Sequence, residues 1–293
     1  MAFGLDKEQK KIGTAIIAVM AALVVFELGK TLGMLLVQFS LPLFMPALFS
    51  GSEAAAEELL SKPMMGVTLQ EVMGSILSLI MQATGGLCCW AVWRKNLLWY
   101  RNRGVGLAEQ GVSRPEWQRW ILFCATAMLG CLGLNLVMNG LQITLFSEEF
   151  MKVAQEQASV PVIFGVLMYG IVSPMAEEIV FRGVIYGKMR KAIGASAALP
   201  LASLFFAIYH GNIIQGIYAA VIGAVLCYVY EKSGNLWVAV SFHGMGNLIV
   251  YLLIGAGDLM GVLGNAAACV LGVILTALAA GAFYLCYGKP KLS

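Results

Sequence analysis

Residues 160–187 read VPVIFGVLMYGIVSPMAEEIVFRGVIYG, an apolar run that carries two adjacent glutamates, Glu177 and Glu178, and one arginine, Arg182. As a helix rising about 1.5 Å per residue, the run is long enough to cross a bilayer. Ionisable side chains in hydrocarbon cost roughly 2.5–3.5 kcal/mol each for Asp, Lys and Arg on insertion scales, so a span that keeps them points to chemistry or transport. Glu178 and Arg182 are four apart, share one helix face and can form an ion pair. Glu177 lies about 100° round the helix from Glu178. Two neighbouring carboxylates in a low dielectric do not both ionise easily, and Arg182 relieves one of them. This leaves Glu178 fixed by Arg182 and Glu177 as the candidate base. The plainer alternative is a structural ion pair with a spare glutamate.

The rest of the chain agrees with a membrane setting. It has 293 residues, 60% hydrophobic and 12% charged, with a mean hydropathy of +0.82. A soluble domain carries about 25% charged residues. Lipid offers no partner to backbone groups, so the expected fold is all-α: one polytopic helical bundle over 1–293, without a separate soluble domain. Eight spans are expected, at roughly 12–48, 70–93, 120–146, 160–187, 195–211, 213–230, 236–254 and 261–287. The first is too long for one perpendicular crossing and is expected to tilt, or to break near Pro42 and Pro46. It also lacks a small-residue cleavage site, so it reads as a retained span. The cysteines all fall within spans, none at metal-ligand spacing, and read as packing residues. Gly29 with Gly33, and Gly130 with Gly133, are candidates for close helix contacts.

Charge sets the expected orientation. Lys7, Lys10, Lys11, Arg94, Lys95, Arg101, Arg103, Arg114, Arg119, Lys188, Arg190, Lys191, Lys232, Lys289 and Lys291 fall on one set of loops and ends. The other side holds Lys62 and Lys152, among acids such as Glu53, Glu57, Glu58, Glu148, Glu149 and Glu156. The positive-inside rule then places both termini in the cytoplasm of a multi-pass cell-membrane protein. Residues 94–119 form a basic loop whose Trp99, Tyr100, Trp117 and Trp120 suit the interface. Glu27 and Lys30 read as a local pair, and nucleic acid is not expected among the partners.

The chain's two histidines, His210 and His243, also fall inside apolar stretches. His243 and Asn247 are four apart on one face, with Gly244 and Gly246 between them to admit a close backbone or a substrate. A lone buried histidine is often just an interhelical hydrogen bonder. Two of them beside two glutamates, an arginine and an asparagine, in neighbouring spans, argue for a site. Two chemistries fit. Glu177, His210 and His243 can hold a zinc ion with an open water position. Alternatively, Glu177 with a histidine activates water directly while His243 and Asn247 donate to an oxyanion. Both are hydrolytic, most plausibly on a peptide bond. There is no HExxH, GxSxG, paired intramembrane aspartate or P-loop. The rival class is a non-catalytic membrane scaffold, or a peptide-binding or transport protein of the bacteriocin-immunity kind. A transporter needs a polar path to both faces, and the outer halves of these spans are apolar.

The order Glu-Glu-x-x-x-Arg at 177–182, Phe-x-x-x-His at 206–210 and His-x-x-x-Asn at 243–247 resembles the CAAX-protease and bacteriocin-processing family. This intramembrane group includes type II CAAX prenyl endopeptidases and Abi proteins. The resemblance implies a catalytic core over 160–254, an eight-helix bundle with a cavity open to the cytosolic side, and catalytic roles for Glu177, Glu178, His210, His243 and Asn247, with Arg182 in support. It implies a peptide or membrane-protein substrate and is compatible with both a metal-bound and a metal-free glutamate mechanism. Minimal loops and small size point to a bacterial member.

Overall fold

The computed structural model describes residues 7–64, 67–101, 116–255 and 257–287. Arg103, Arg114, Lys289 and Lys291, named above for the orientation, lie outside the described residues, as do the side chains of Lys7, Trp99, Tyr100 and Arg101. The fold is an all-α polytopic membrane bundle. Helix α1 is Lys7–Phe44, α2 Glu53–Ser61, α3 Leu69–Arg101, α4 Glu116–Gly140 and α5 Glu148–Ser159. Then come α6, Val162–Ile193, α7, Ala195–Tyr209, α8, Ile213–Ser233, α9, Leu236–Ile254, and α10, Leu259–Tyr287. Among the described residues, seven of these are long and apolar enough to cross a membrane, and α7 is a shorter apolar helix.

Several expected boundaries move. Helix α1 runs through Pro42 to Phe44, and a short helical turn, Ala47–Ser50, follows Pro46. Helix α4 stops at Gly140, where Gln142 turns the chain with φ 56°, the one positive φ outside glycine among the described residues. The two acidic segments expected as loops fold into α2 and α5. Each is started by a serine whose side chain accepts a backbone N–H, Ser52 from Ala55 and Ser147 from Phe150. That bond satisfies a donor otherwise orphaned at a helix start. The fourth span does not end at 187 but continues as helix to Ile193 and turns at Gly194, φ 80°. Glu178 and His210 lie the same number of residues from that turn. His210, the residue that fits least well by depth when the span ends at 187, therefore comes level with the glutamates.

Outward faces carry exposed Ile16, Ile17, Leu28, Phe39, Val262 and Val270, as lipid-facing helices should. Inside, Phe26, Phe123, Phe181, Phe206, Leu226 and Phe242 make one core. Helices α1 and α3 approach so closely that a Cβ on Gly29 would meet the Gly85 backbone, and one on Gly33 would meet Thr84. All seven cysteines are free, and four of them are buried.

Candidate active site

Helix α6 is not regular. Two π-helical segments, Met168–Val172 and Ile179–Tyr186, flank the α-helical turn and a half Ser173–Glu178 that bears the carboxylates. Widened turns of this kind change the angular spacing of side chains and are common at functional positions. Ser173 and Glu177 are four apart within the regular piece, and the Ser173 hydroxyl donates to Glu177 Oε1. Ser173 was not among the residues singled out in the sequence, although its i, i+4 spacing to Glu177 could have marked it.

Glu178 is fully buried. Its Oε1 accepts from Arg182 Nη1 at 2.8 Å and from His243 Nδ1 at 2.8 Å. Arg182, equally buried, gives Nη2 to the Gly223 carbonyl at 3.2 Å and lies 4.3 Å from the centre of the Phe206 ring. The Glu178–Arg182 pairing follows from spacing, as expected; the Glu178–His243 contact joins α6 to α9 and has no local signal. A carboxylate can only accept, so Nδ1 of His243 carries a proton. Its Nε2 faces Glu177 Oε2 across 3.8 Å.

His210 closes α7. Its Nδ1 lies 2.7 Å from the Phe206 carbonyl oxygen, which again puts the proton on Nδ1 and leaves Nε2 unprotonated. Phe206 organises the cluster: its ring meets His210 edge-on at 4.7 Å and His243 edge-on at 5.8 Å. Tyr209, beside His210, donates to Glu27 at 2.8 Å and accepts from Lys30 at 2.9 Å. The Glu27–Lys30 pair thus ties α1 to the helix of His210 as well as being local.

Glu177, His210, His243 and Asn247 line one cavity of about 430 Å³. Glu178 is not part of that wall; it lies behind His243. The wall adds neutral polar groups, among them Asn135, Asn139, Gln215 and Tyr218. On α9 a Cβ at Gly244 would collide with the Gly170 carbonyl of α6, and one at Gly246 with the Cys131 sulfur. The glycines between His243 and Asn247 thus serve close helix packing. Among the described residues no group of three or more His, Cys, Asp or Glu side chains is arranged to hold a metal ion. As placed, Glu177, His210 and His243 share a cavity without forming a zinc centre.

Residues 159–249 match the family model described as type II CAAX prenyl endopeptidase Rce1-like. The matched segment contains Glu177, Glu178, Arg182, His210, His243 and Asn247, so the resemblance read from the motifs is borne out. Over 88 residues the chain is 26% identical to YdiL of Bacillus subtilis (strain 168), which is named as a candidate membrane peptidase. The alignment spans 30% of this chain and 36% of that relative. No solved structure matches the chain.

Proposed function

We propose that the protein is an intramembrane endopeptidase of the Rce1-like kind, in which Glu177 activates water against a peptide carbonyl. The observation that carries this reading is the pair Glu177 Oε2 and His243 Nε2, 3.8 Å apart on one cavity wall. In this reading His243 is neutral, so both atoms accept, and a water beside the pair can bridge them. A water donating one proton to each is held and polarised from both sides. Glu177 takes its proton as the oxygen attacks the carbonyl carbon, and later delivers it to the leaving amine. Ser173 keeps the Glu177 carboxylate turned to the cavity. Glu178 fixes the tautomer of His243 and is a positioning residue, with Arg182 holding it in turn. Asn247, one turn from His243, supplies amide donors toward the developing oxyanion, and His210 lies on the same wall. The match of residues 159–249 supports the peptidase class.

The test is Glu177→Gln, assayed on a mixture of internally quenched peptides with the purified protein in detergent. Glutamine keeps the shape and cannot take the proton, so cleavage should fall by roughly 10²–10⁴ with the fold intact. Full turnover by Glu177→Gln would rule out the glutamate mechanism. If the wild-type protein binds the peptides and cleaves none, the polar cluster is a binding or scaffold site instead.

A further inference from the structure

Glu27 and Lys30 stand near the middle of α1, a membrane-spanning helix, and Glu27 is 52% exposed on the flank of the bundle. Charges kept at that depth are costly. The two neutralise each other at 2.9 Å, yet both also reach the Tyr209 hydroxyl. Lys30 Nζ donates to that hydroxyl at 2.9 Å, and the hydroxyl donates to Glu27 Oε1 at 2.8 Å. Lys30 Nζ also lies 5.4 Å from the centres of the Phe26 and Tyr209 rings. Room for this arrangement comes from α3, where a Cβ on Gly85 would meet the Phe26 ring and Lys30 Cγ. A pair that served only its own neutrality would have no use for Tyr209.

Tyr209 is the last residue of α7. His210 follows, then Gly211 with φ 76°, then Asn212, which caps α8 by accepting from the Gln215 N–H at 2.8 Å. A helix end leaves its last carbonyls without intrahelical partners. Here the His210 backbone N–H turns to the Ala207 carbonyl at 3.2 Å, and the His210 ring takes the Phe206 carbonyl through Nδ1 at 2.7 Å. The ring keeps that bond only while the last turn of α7 keeps its shape. Within that turn Ile208 is exposed, whereas Tyr209 packs on Phe26 and Phe181, with ring centres at 5.8 and 5.2 Å, and hydrogen-bonds to α1. Tyr209 and His210 both border the cavity that holds Glu177.

We infer that Glu27, Lys30 and Tyr209 are positioning residues for His210. Helix α1 holds the Tyr209 hydroxyl, the hydroxyl holds the last turn of α7, and that turn sets the His210 imidazole on the cavity wall with Nδ1 on the Phe206 carbonyl. The hydroxyl of Tyr209 is engaged by α1, so the residue acts through its neighbour and not on the reacting atoms. Glu27 and Lys30 lie outside residues 159–249, the segment that matches the family model, so α1 adds this tie to the shared core. The effect on rate rests on the peptidase reading, whereas the effect on the His210 ring does not.

The test compares the full-length wild type, in detergent and purified on a histidine-free tag, with Tyr209→Phe and with the double variant Glu27→Leu, Lys30→Leu. Phenylalanine keeps the ring on the cavity wall and leaves the ion pair intact. The double variant takes both charges out of the membrane, so a merely local pair would be lost without harm. Nitrogen NMR on isotope-labelled histidine reads the chain's two imidazoles, and the signal that His210→Gln removes is that of His210. At about pH 8, above the ordinary histidine value of about 6.5, wild-type His210 should carry its proton on Nδ1. Both variants should shift that signal toward exchange between the two ring nitrogens and leave His243 unmoved. On a peptide cleaved from the quenched mixture, Tyr209→Phe should lower kcat about ten-fold with KM within about two-fold, since a displacement of about 1 Å can cost up to roughly 10²-fold. An unmoved His210 signal in both variants would overturn the inference, and with a lowered unfolding temperature would reduce the three residues to a structural tie. An unchanged kcat, or a change in KM alone, would overturn it as well. A shifted His210 signal in a protein whose wild type cleaves no peptide would keep the positioning role and remove the peptidase reading.

Discussion

At the scale of single residues, the two glutamates do different work because they meet different surroundings. Glu177 faces a cavity and a serine, whereas Glu178 is enclosed by Arg182 and His243. Removing the charge of Glu178 leaves Arg182 buried beside an amide, and breaking a buried pair costs about 3–5 kcal/mol. Glu178→Gln should therefore lower both thermal stability in detergent and cleavage, while Glu177→Gln lowers cleavage alone. A Glu178→Gln protein as stable as wild type would show that Arg182 finds another partner. Asn247→Ala should reduce cleavage by roughly 10²–10³, with little change in peptide affinity, if its amide acts on the oxyanion. An equal loss of affinity and rate would make it a binding residue. Metal dependence is decided by the same donors. With the proton carried by Glu177, cleavage should survive a strong chelator, and a loss reversed by zinc would return Glu177, His210 and His243 to the role of ligands. The i, i+4 pairs of this site were legible in the sequence because spacing alone aligns them. The contact of Glu178 with His243 was not, since it depends on how α9 is seated against α6.

Among the elements, α6 carries most of the site, and its irregularity is what spacing rules miss. A regular helix places each residue about 100° from the last, whereas π-helical segments add residues to a turn. The segments at Met168–Val172 and Ile179–Tyr186 thus set the direction of the carboxylates in a way no hydropathy pattern records. Hydropathy also ended the span too early, because Lys188, Arg190 and Lys191 look like a loop although they form the last helical turns. The α6–α9 contact is equally exacting. With the Gly170 carbonyl in the space a Cβ would take, Gly244→Ala should push α9 off α6. Overpacking of this kind costs about 1–3 kcal/mol, and here it also carries His243 away from Glu178. The expected result is a lowered unfolding temperature together with lost cleavage. A Gly244→Ala protein that keeps wild-type stability would mean that the two helices separate freely.

For the molecule as a whole, the sequence supplies the distribution of charge, and the structure supplies the distribution of packing. Lys188, Arg190, Lys191 and Lys232 cluster at the ends of α6 and α8, and Arg182, Tyr186 and Tyr230 are buried in the same two helices. The orientation decides which compartment each end of the bundle faces. If Lys188, Arg190, Lys191 and Lys232 stand in the cytoplasm, a reporter that is active only outside should be active when inserted at Lys62, between α2 and α3, and silent when inserted after Lys95. Alkaline phosphatase fused at these two points in a bacterial host reads this directly. The opposite pattern would turn the bundle over and place both termini outside. The cavity and the Glu177–His243 pair would be unchanged, so the reporter pattern tests the orientation separately from the chemistry.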